Sequence, residues 1–215
     1  MKVGILGSGQ VGQALGRGFL ALGDEVMLGS REPENPKAAA WAKAAGARAS
    51  AGSFTAAAQF GEMVLLATLG AATENAIRIA GPEHFRGKLV MDVTNPLDFS
   101  KGAPPGLAGG VGDSGGERHQ RLLPDAQVVK VFNTVGNQLM FRPELPGGPP
   151  SMFICGDDAR AKARVADICR DFGWETVDVG GIAAAHYLEA MCMVWVLAGS
   201  ASHNWNNAFK FLRKP

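Results

Sequence analysis

The sequence predicts an α/β fold with a doubly wound, mainly parallel sheet and a small C-terminal helical part. Short apolar runs alternate along the chain with segments of helical periodicity, which is the pattern of a parallel sheet with crossover helices. Most of these runs are hydrophobic throughout, as expected for strands that helices cover on both faces. The 215-residue chain is 47% hydrophobic and 19% charged, a composition typical of a globular protein.

The predicted strands are short and mostly apolar: Lys2–Leu6, Glu25–Leu28, Met63–Ala67, Lys88–Asp92, Gln127–Phe132, Ser151–Cys155 and Glu175–Val179. The segments between them predict helices over Val11–Leu22, Pro36–Ala45, Thr73–Ala80, Glu117–Leu123 and Asp158–Phe172. Residues 94–116 contain too many glycines and prolines for a regular element. A loop of this length is usually functional or mobile.

The C-terminal residues differ from the rest of the chain. Ile182–Gly199 is predicted to form one helix whose second half is apolar on every side. Such a helix has to be buried, either in a core or against another subunit. A shorter helix is predicted over Ala201–Leu212.

Charge and cysteine content exclude several classes of protein. Twenty-one Lys and Arg balance twenty Asp and Glu, which argues against a nucleic-acid partner. Three cysteines without a Cys-x-x-Cys motif fit a reducing compartment. The first residues lack the basic and apolar stretches of a secretory signal, and the apolar run Ala190–Gly199 is about half of the roughly 20 residues that span a bilayer. We therefore expect a cytoplasmic protein without a membrane partner.

A glycine-rich motif follows the first predicted strand. In Gly7-Ser8-Gly9-Gln10-Val11-Gly12, the first glycine allows a tight turn, the second lets a pyrophosphate approach the backbone, and the third permits close helix–strand packing. The N-terminus of the following helix offers free N–H groups and a positive dipole to the phosphates. The motif predicts a Rossmann-type dinucleotide-binding domain over residues 1–180, with residues 181–215 as an appended helical segment.

The end of the second strand favours NADP(H) over NAD(H). NAD-binding domains usually place Asp or Glu there to hold the ribose 2′-hydroxyl, whereas this chain has Ser30-Arg31. A hydroxyl and a guanidinium can bind a 2′-phosphate that a carboxylate would repel. Lys37 could add a second positive charge.

With these motifs the chain resembles the F420-dependent NADP oxidoreductase family over nearly its whole length. The resemblance is carried by KVGILGSGQVG at 2–12, LGSRE at 28–32, DVTNPLDFS at 92–100, VVKVFNTVGN at 128–137, CGDDA at 155–159 and AFKFL at 208–212. Members join a Rossmann domain to a helical part that helps form a dimer, and they pass a hydride between NADP(H) and the deazaflavin F420. Related domains serve ferric reductases. The resemblance thus implies a homodimer with a small-molecule redox acceptor, F420 or a flavin.

The resemblance also implies a set of cofactor contacts. Beside the glycine motif, these are Ser30 and Arg31 at the 2′-phosphate, Ala67, Thr68 and Leu69 at a strand end, Asn133, Thr134 and Val135 near the nicotinamide and acceptor, and Asn95. F420 enzymes resemble Thr-x-Pro-Trp where this chain has Thr68-Leu69-Gly70-Ala71, and His-Thr-Ile where it has Asn133-Thr134-Val135. The C-terminal segment that touches the deazaflavin in this family is Asn206-Asn207-Ala208 here, which is more polar than expected. These departures lie at the acceptor side and leave the NADP contacts unchanged.

Hydride transfer between two cofactors requires orientation and no side-chain nucleophile or acid, so no catalytic residue is predicted. No metal site is predicted either, because His84, His119, His186 and His203 are scattered and are expected to be surface or packing residues. Ser114 is expected to belong to the start of the helix at 117–123. The loop at 94–116 is hypothesised to close over the acceptor.

Three functions remain open. The first is an NADP(H)-dependent oxidoreductase acting on F420 or another redox cofactor. The second is an NADPH-dependent reductase of another small substrate or ferric iron. The only tyrosine is Tyr187, without a Tyr-x-x-x-Lys pair, which counts against a carbonyl substrate. The third is a non-catalytic NADP(H)-sensing module in which the apolar Met191–Leu197 contacts a partner, although a core or homodimer contact is favoured for that segment.

Overall fold

The strands of the protein form one large sheet and one small hairpin. The computed structural model describes residues 1–214, with strands β1 (Lys2–Leu6), β2 (Glu25–Ser30), β3 (Ala49–Ser53), β4 (Met63–Leu66), β5 (Leu89–Asp92), β6 (Leu97–Asp98), β7 (Gly106–Leu107), β8 (Gln127–Lys130), β9 (Ser151–Gly156) and β10 (Glu175–Asp178). The eight-stranded sheet has the order β10-β9-β8-β5-β4-β1-β2-β3, and β6 pairs with β7.

Helices cover both faces of this sheet. In chain order they are α1 (Gln10–Ala21), α2 (Pro36–Ala45), α3 (Phe54–Phe60), α4 (Gly70–Ala80), α5 (Gly115–Leu122), α6 (Ala159–Asp171) and α7 (Ala185–Ser202). One apolar layer joins the sheet to α1, α2 and α6 around Phe19, Trp41 and Val165. The second joins it to α3, α4 and α7 around Ile77 and Leu188. The doubly wound α/β fold that the sequence predicts is confirmed.

All strand pairs of the sheet are parallel except β8 and β9, which pair Val129 with Gly156 and Lys130 with Cys155. The sheet is therefore mainly parallel, as predicted. Because parallel strands end at the same edge, the segments that follow β1, β2, β4, β5 and β8 meet there. We call this side of the sheet the carboxyl edge, and it is where ligands bind in open α/β sheets.

Two elements near residue 50 are missing from the sequence prediction. The strand β3 has the sequence ASAGS and is only half buried at the edge of the sheet, so it lacks the apolar run that marks the other strands. The helix α3 is short, and Ser53 caps it by accepting a hydrogen bond from Ala56 N at 3.0 Å. The predicted loop at 94–116 also contains the β6–β7 hairpin.

The predicted helix over Ala201–Leu212 is wrong. The helix α7 ends at Ser202, and His203 follows in the left-handed region with φ of 52°. The Asn204 side chain then accepts a hydrogen bond from Asn206 N and turns the chain. Beyond this turn the backbone runs beside β9, where Ser151 N donates to Phe209 O at 2.8 Å. Asparagine turns and pairing with Ser151 thus replace the helix.

The helix α7 is only partly covered by the chain. Val194 and Leu197 are 55% and 50% exposed. The prediction that the second half of α7 is buried in the core of this chain is therefore wrong. Burial against another subunit stays a prediction, as does a domain boundary between residues 180 and 181. The stretch Ile182–Ser202 is long and apolar enough to cross a membrane by length and composition alone, with 39% of its most apolar window buried in the protein.

Candidate functional site

A cleft of about 560 Å³ opens at the carboxyl edge of the sheet. Its walls come from the segments that follow β1, β2, β4 and β5. The predicted contacts that line it are Gly7, Ser8, Gly9, Gln10, Val11, Ser30, Arg31, Ala67, Thr68, Leu69 and Asn95. The cleft therefore brings together residues that are up to 88 positions apart in the sequence.

Glycine occurs at the three positions of the motif for different structural reasons. Gly7 has a φ of 133°, and a Cβ atom there would collide with the Ala67 carbonyl. A Cβ atom at Gly12 would collide with the Gly7 carbonyl, so Gly12 packs α1 onto β1 and does not line the cleft. A Cβ atom at Gly9 would meet nothing within 4 Å. The fold thus requires Gly7 and Gly12, whereas Gly9 leaves room for a ligand.

The N-terminus of α1 is suited to an anion. Gly9 is the N-cap residue, so no side chain caps the first N–H groups of this helix, and its first turn contains no acidic residue. These N–H groups and the helix dipole present positive potential to the cleft. Gln13 Nε2 donates to Ser8 O at 2.9 Å and fixes the preceding turn. A pyrophosphate fits this arrangement.

The other end of the cleft carries Arg31. This guanidinium is exposed and forms no ion pair with any residue of the described chain. Ser30 Oγ donates to Glu32 O at 2.6 Å and shapes the turn that presents Arg31. Lys37 lies in the first turn of α2 and does not line the cleft. Asn35, which caps α2, lines the cleft instead.

The residues after β4 close the opposite wall. Thr73 Oγ1 lies 2.9 Å from Thr68 Oγ1 and donates to Leu69 O at 3.2 Å. Leu69 itself is 80% exposed at the mouth of the cleft. A Cβ atom at Gly70 would collide with the Asn95 carbonyl, so the start of α4 packs tightly against the segment that follows β5.

Asn133, Thr134 and Val135 are buried and do not line this cleft, so their expected contact with the cofactor stays a prediction. Phe132 explains this position, because its φ of 54° turns the chain at the end of β8. Asn133 Nδ2 donates to Asn95 Oδ1 at 3.0 Å, and Asn95 Nδ2 donates to Asn133 O at 2.8 Å. Asn133 therefore supports Asn95 from behind.

The sequence prediction missed several residues of the cleft. Those that line it without having been predicted are Asn35, Phe54, Gly70, Ala72, Asn75, Ala76, Val93, Thr94 and Leu97. Phe54 belongs to the unpredicted α3. Gly70 and Ala72 precede the predicted start of α4, which begins three residues earlier than expected. The tripeptide that follows β5, Val93-Thr94-Asn95, was a visible signal because it directly follows a predicted strand.

Ionisable groups are sparse in the cleft. Among its lining residues within positions 1–214, Arg31 is the only ionisable side chain. Cysteines supply no nucleophile here, since burial raises the pKa of Cys155 and Cys169 to about 12 and that of Cys192 to about 11. No group of three or more His, Cys, Asp or Glu in the described residues is placed to hold a metal ion.

Ser114 and His119 lie where the sequence predicts them, but His119 makes an additional contact. Ser114 caps α5, with a reciprocal hydrogen-bond pair to Glu117, as its predicted place at the start of that helix requires. His119 is a buried packing residue, but it also lies 3.0 Å from Asp92 Oδ2 through its Nδ1 atom. No pattern in the sequence indicates this contact.

Comparisons with known proteins identify relatives of this chain. The model of the family "NADP oxidoreductase coenzyme F420-dependent" matches residues 2–96, which contain the whole cleft except for Leu97. A crystal structure of a candidate F420-dependent NADP reductase from Arthrobacter sp. FB24 is 37% identical, with a TM-score of 0.94 over 99% of this chain and 100% of that one.

More distant proteins share parts of this similarity. Metalloreductase STEAP3 of Rattus norvegicus is 29% identical over 88% of this chain, but the chain spans only 36% of that relative's length. A reductive aminase of Aspergillus terreus in complex with NADPH has a TM-score of 0.69 over 94% of this chain and 62% of the aminase. At 18% identity it shows the fold alone. The full-length match at 37% identity decides the assignment: the chain belongs to the F420-dependent NADP oxidoreductase family, whose members are NADP-dependent oxidoreductases.

Proposed function

We propose that the protein transfers a hydride between NADPH and a planar, flavin-like acceptor, with coenzyme F420 as the first choice. The observation that carries this proposal is the lack of a side-chain acid among the described residues that line the cleft. Reduction of a carbonyl group would need a proton donor beside the hydride acceptor. Hydride transfer between two cofactors needs only orientation, which can lower the barrier by roughly 7–11 kcal/mol.

The residues of the cleft fit NADP(H) from end to end. Gly9 and the first N–H groups of α1 would hold the pyrophosphate, and Arg31 would hold the 2′-phosphate. Thr68, Leu69 and Asn95 would surround the nicotinamide, which supplies the hydride when NADPH is bound. Asn133 keeps the Asn95 amide in one orientation through two hydrogen bonds.

The acceptor would enter at the mouth formed by Leu69 and Leu97, because both side chains line the cleft beside Asn95. An apolar mouth suits a planar ring and excludes water from the reacting atoms. The β6–β7 hairpin carries Leu97, and the exposed Phe99 follows directly. This placement supports the hypothesis that the loop at 94–116 closes over the acceptor.

The acceptor can be identified by mixing the purified protein anaerobically with NADPH and F420 and following the absorbance of each cofactor. Reduction of F420 by NADPH, and not by NADH, is the expected result. Parallel reactions with FMN, and with FMN plus ferric iron, test the second candidate. NADPH binding without transfer to any acceptor would contradict the catalytic proposal and leave the sensing module.

The second candidate function is reduction of a flavin or ferric iron. The specific observation that favours it is the 29% identity to a metalloreductase over 88% of this chain. Both candidates use the same cofactor cleft and differ only in the acceptor. FMN-dependent iron reduction that exceeds F420 reduction would favour this second function.

Shortening the loop should separate cofactor binding from turnover. Replacing residues 99–112 by a short glycine linker removes β7 and the turn of the hairpin but keeps Leu97 and the Ser114 cap of α5. We expect NADPH affinity to stay within about 2-fold while turnover with the acceptor falls by about 10-fold or more, as for loss of a closing loop. Isothermal titration and stopped-flow absorbance measure the two quantities. An unchanged turnover rate would show that the loop does not act as a lid.

The proposal includes a cytoplasmic homodimer. The exposed apolar side chains Tyr187, Val194 and Leu197 on α7 support a second copy as the partner of this helix.

A further inference from the structure

A cluster of charged side chains lies buried behind the wall of the cleft. Lys130 Nζ, at the end of β8, is 3.0 Å from Asp92 Oδ2 and 3.0 Å from Glu189 Oε1. It also donates to Thr94 O at 2.8 Å. We call Asp92, Thr94, Lys130 and Glu189 the Lys130 cluster; all four are buried.

The Lys130 cluster connects the cleft to α7. Thr94 and Asn95 are consecutive residues of the cleft wall, and Leu188 and Glu189 are consecutive residues of α7. Glu189 contacts Lys130 Nζ, which in turn donates to the Thr94 carbonyl. Leu188 O accepts from Asn133 Nδ2 at 2.8 Å, and the same amide holds Asn95. Two adjacent residues of α7 therefore hold two adjacent residues of the cleft by separate routes.

Glu189 is itself held in place by α5. Its two carboxylate oxygens accept hydrogen bonds from Gly115 N and Gly116 N, each at 3.1 Å. A Cβ atom at Gly116 would lie 2.7 Å from Ala185 Cβ and 3.1 Å from Lys130 Cε. Glycine at this position therefore lets α5, α7 and the Lys130 side chain approach each other closely.

Both ends of the ion pair between Asp92 and Lys130 remain charged. Burial disfavours the ionised form of Asp92, but the Lys130 ammonium and then His119 outweigh it and hold the pKa of Asp92 well below its usual range. Burial likewise opposes the charge of Lys130, and the carboxylates of Asp92 and Glu189 outweigh it and raise the Lys130 pKa.

Core stability alone does not explain the Lys130 cluster. Apolar residues of similar size often replace a buried ion pair without loss of stability. A lysine held between two carboxylates donates a directed hydrogen bond to the Thr94 carbonyl, which an apolar side chain cannot do. That bond sets the peptide plane between Thr94 and Asn95.

We propose that Glu189 is a positioning residue, which holds Lys130 against Thr94 and thereby orients the nicotinamide half of NADPH. The proposal rests on the NADP(H) function proposed above. Glu189 does not touch the cleft and acts through Lys130 and Thr94. The adenine and 2′-phosphate half of the cofactor binds at the Arg31 end and is independent of this contact.

The test compares two ligands on the Glu189→Gln variant. This change keeps the size of the side chain but removes its charge and one of its two acceptors. NADPH contains the nicotinamide half, whereas adenosine 2′,5′-bisphosphate lacks it. We expect the affinity for NADPH to fall by about 10-fold, the effect of one charged hydrogen bond, and that for the bisphosphate to change by less than about 2-fold. Fluorescence of the bound nicotinamide should also move towards that of free NADPH.

Glu117→Gln is the matched control. Glu117 caps the same end of α5 through Ser114 and does not contact Lys130. Both variants should lower the melting temperature, but only Glu189→Gln should change the ratio of the two affinities. Equal weakening of both ligands by Glu189→Gln, or the same ratio change in Glu117→Gln, would overturn the proposal.

A double variant keeps the test valid should Glu189→Gln fail to fold. Lys130→Met with Asp92→Asn removes one positive and one negative charge, and Glu189 keeps its hydrogen bonds from Gly115 N and Gly116 N. The same selective loss of NADPH affinity is expected, and a wild-type affinity ratio would contradict the positioning role. Failure of the wild-type protein to bind NADPH at all would instead contradict the proposed function.

Discussion

Replacing Gly9 by valine is expected to abolish the binding of NADPH and NADH while the protein stays folded. A side chain at Gly9 would meet no protein atom within 4 Å and would occupy the cleft beside the N-terminus of α1. It would separate the pyrophosphate from the first N–H groups of that helix. Loss of two or more charged hydrogen bonds weakens binding by at least about 100-fold. Isothermal titration with each nucleotide measures this loss, and thermal unfolding checks the fold.

Gly110→Val is a suitable control for this change. A Cβ atom at Gly110 also meets nothing within 4 Å, and Gly110 does not line the cleft. The same added volume should therefore leave both nucleotide affinities unchanged. Retained NADPH affinity in Gly9→Val would show that the pyrophosphate binds elsewhere, and the assignment of the glycine motif would fail.

Reversing the charge of Arg31 is expected to convert a preference for NADPH into a preference for NADH. In Arg31→Glu the carboxylate repels the 2′-phosphate that the guanidinium attracts. NADPH affinity should fall by about 10- to 100-fold, whereas NADH, which lacks the 2′-phosphate, should change by less than about 3-fold. Because Arg31 is exposed, the NADPH affinity of the wild type should also decrease with added salt.

Arg17→Glu provides the same change in net charge at an exposed position of α1 that does not line the cleft. It should leave the ratio of NADPH to NADH affinity unchanged. An equal loss for both nucleotides in Arg31→Glu would show that Arg31 does not recognise the 2′-phosphate. Titration of each variant with both nucleotides at two salt concentrations distinguishes these results.

Much of the fold could be predicted because most strands are continuous apolar runs. Leu6 and Leu66 end such strands, and the predicted cleft residues at 7–11 and 67–69 follow them directly, whereas Val93 and Thr94 after Asp92 were missed. The strand β3 and the helix α3 were missed because small residues at the edge of a sheet carry neither a strand nor a helix pattern. Their omission also removed Phe54 from the predicted site.

The Lys130 cluster could not be predicted from the sequence. Lys130 lies within the run VVKVF, whose pattern indicates a buried strand and nothing about the partner of a buried charge. Asp92 and Glu189 are far from it in the sequence, and only the parallel pairing of β5 with β8 and the packing of α7 bring the three together. The position of Asn133 behind the wall was equally inaccessible, because the unusual backbone angle of Phe132 decides it.

The antiparallel pairing of β9 with β8 has a practical consequence for protein production. Because β9 runs in the reverse direction, Ser151 and the segment around Phe211 that bonds to it lie at the carboxyl edge. The chain therefore reaches Phe211 at the edge of the sheet that carries the cleft, four residues before the point at which a C-terminal affinity tag would be fused. A tag before Met1 would emerge at the opposite edge. It would disturb the 3.0 Å ion pair of the Met1 amine with Asp24.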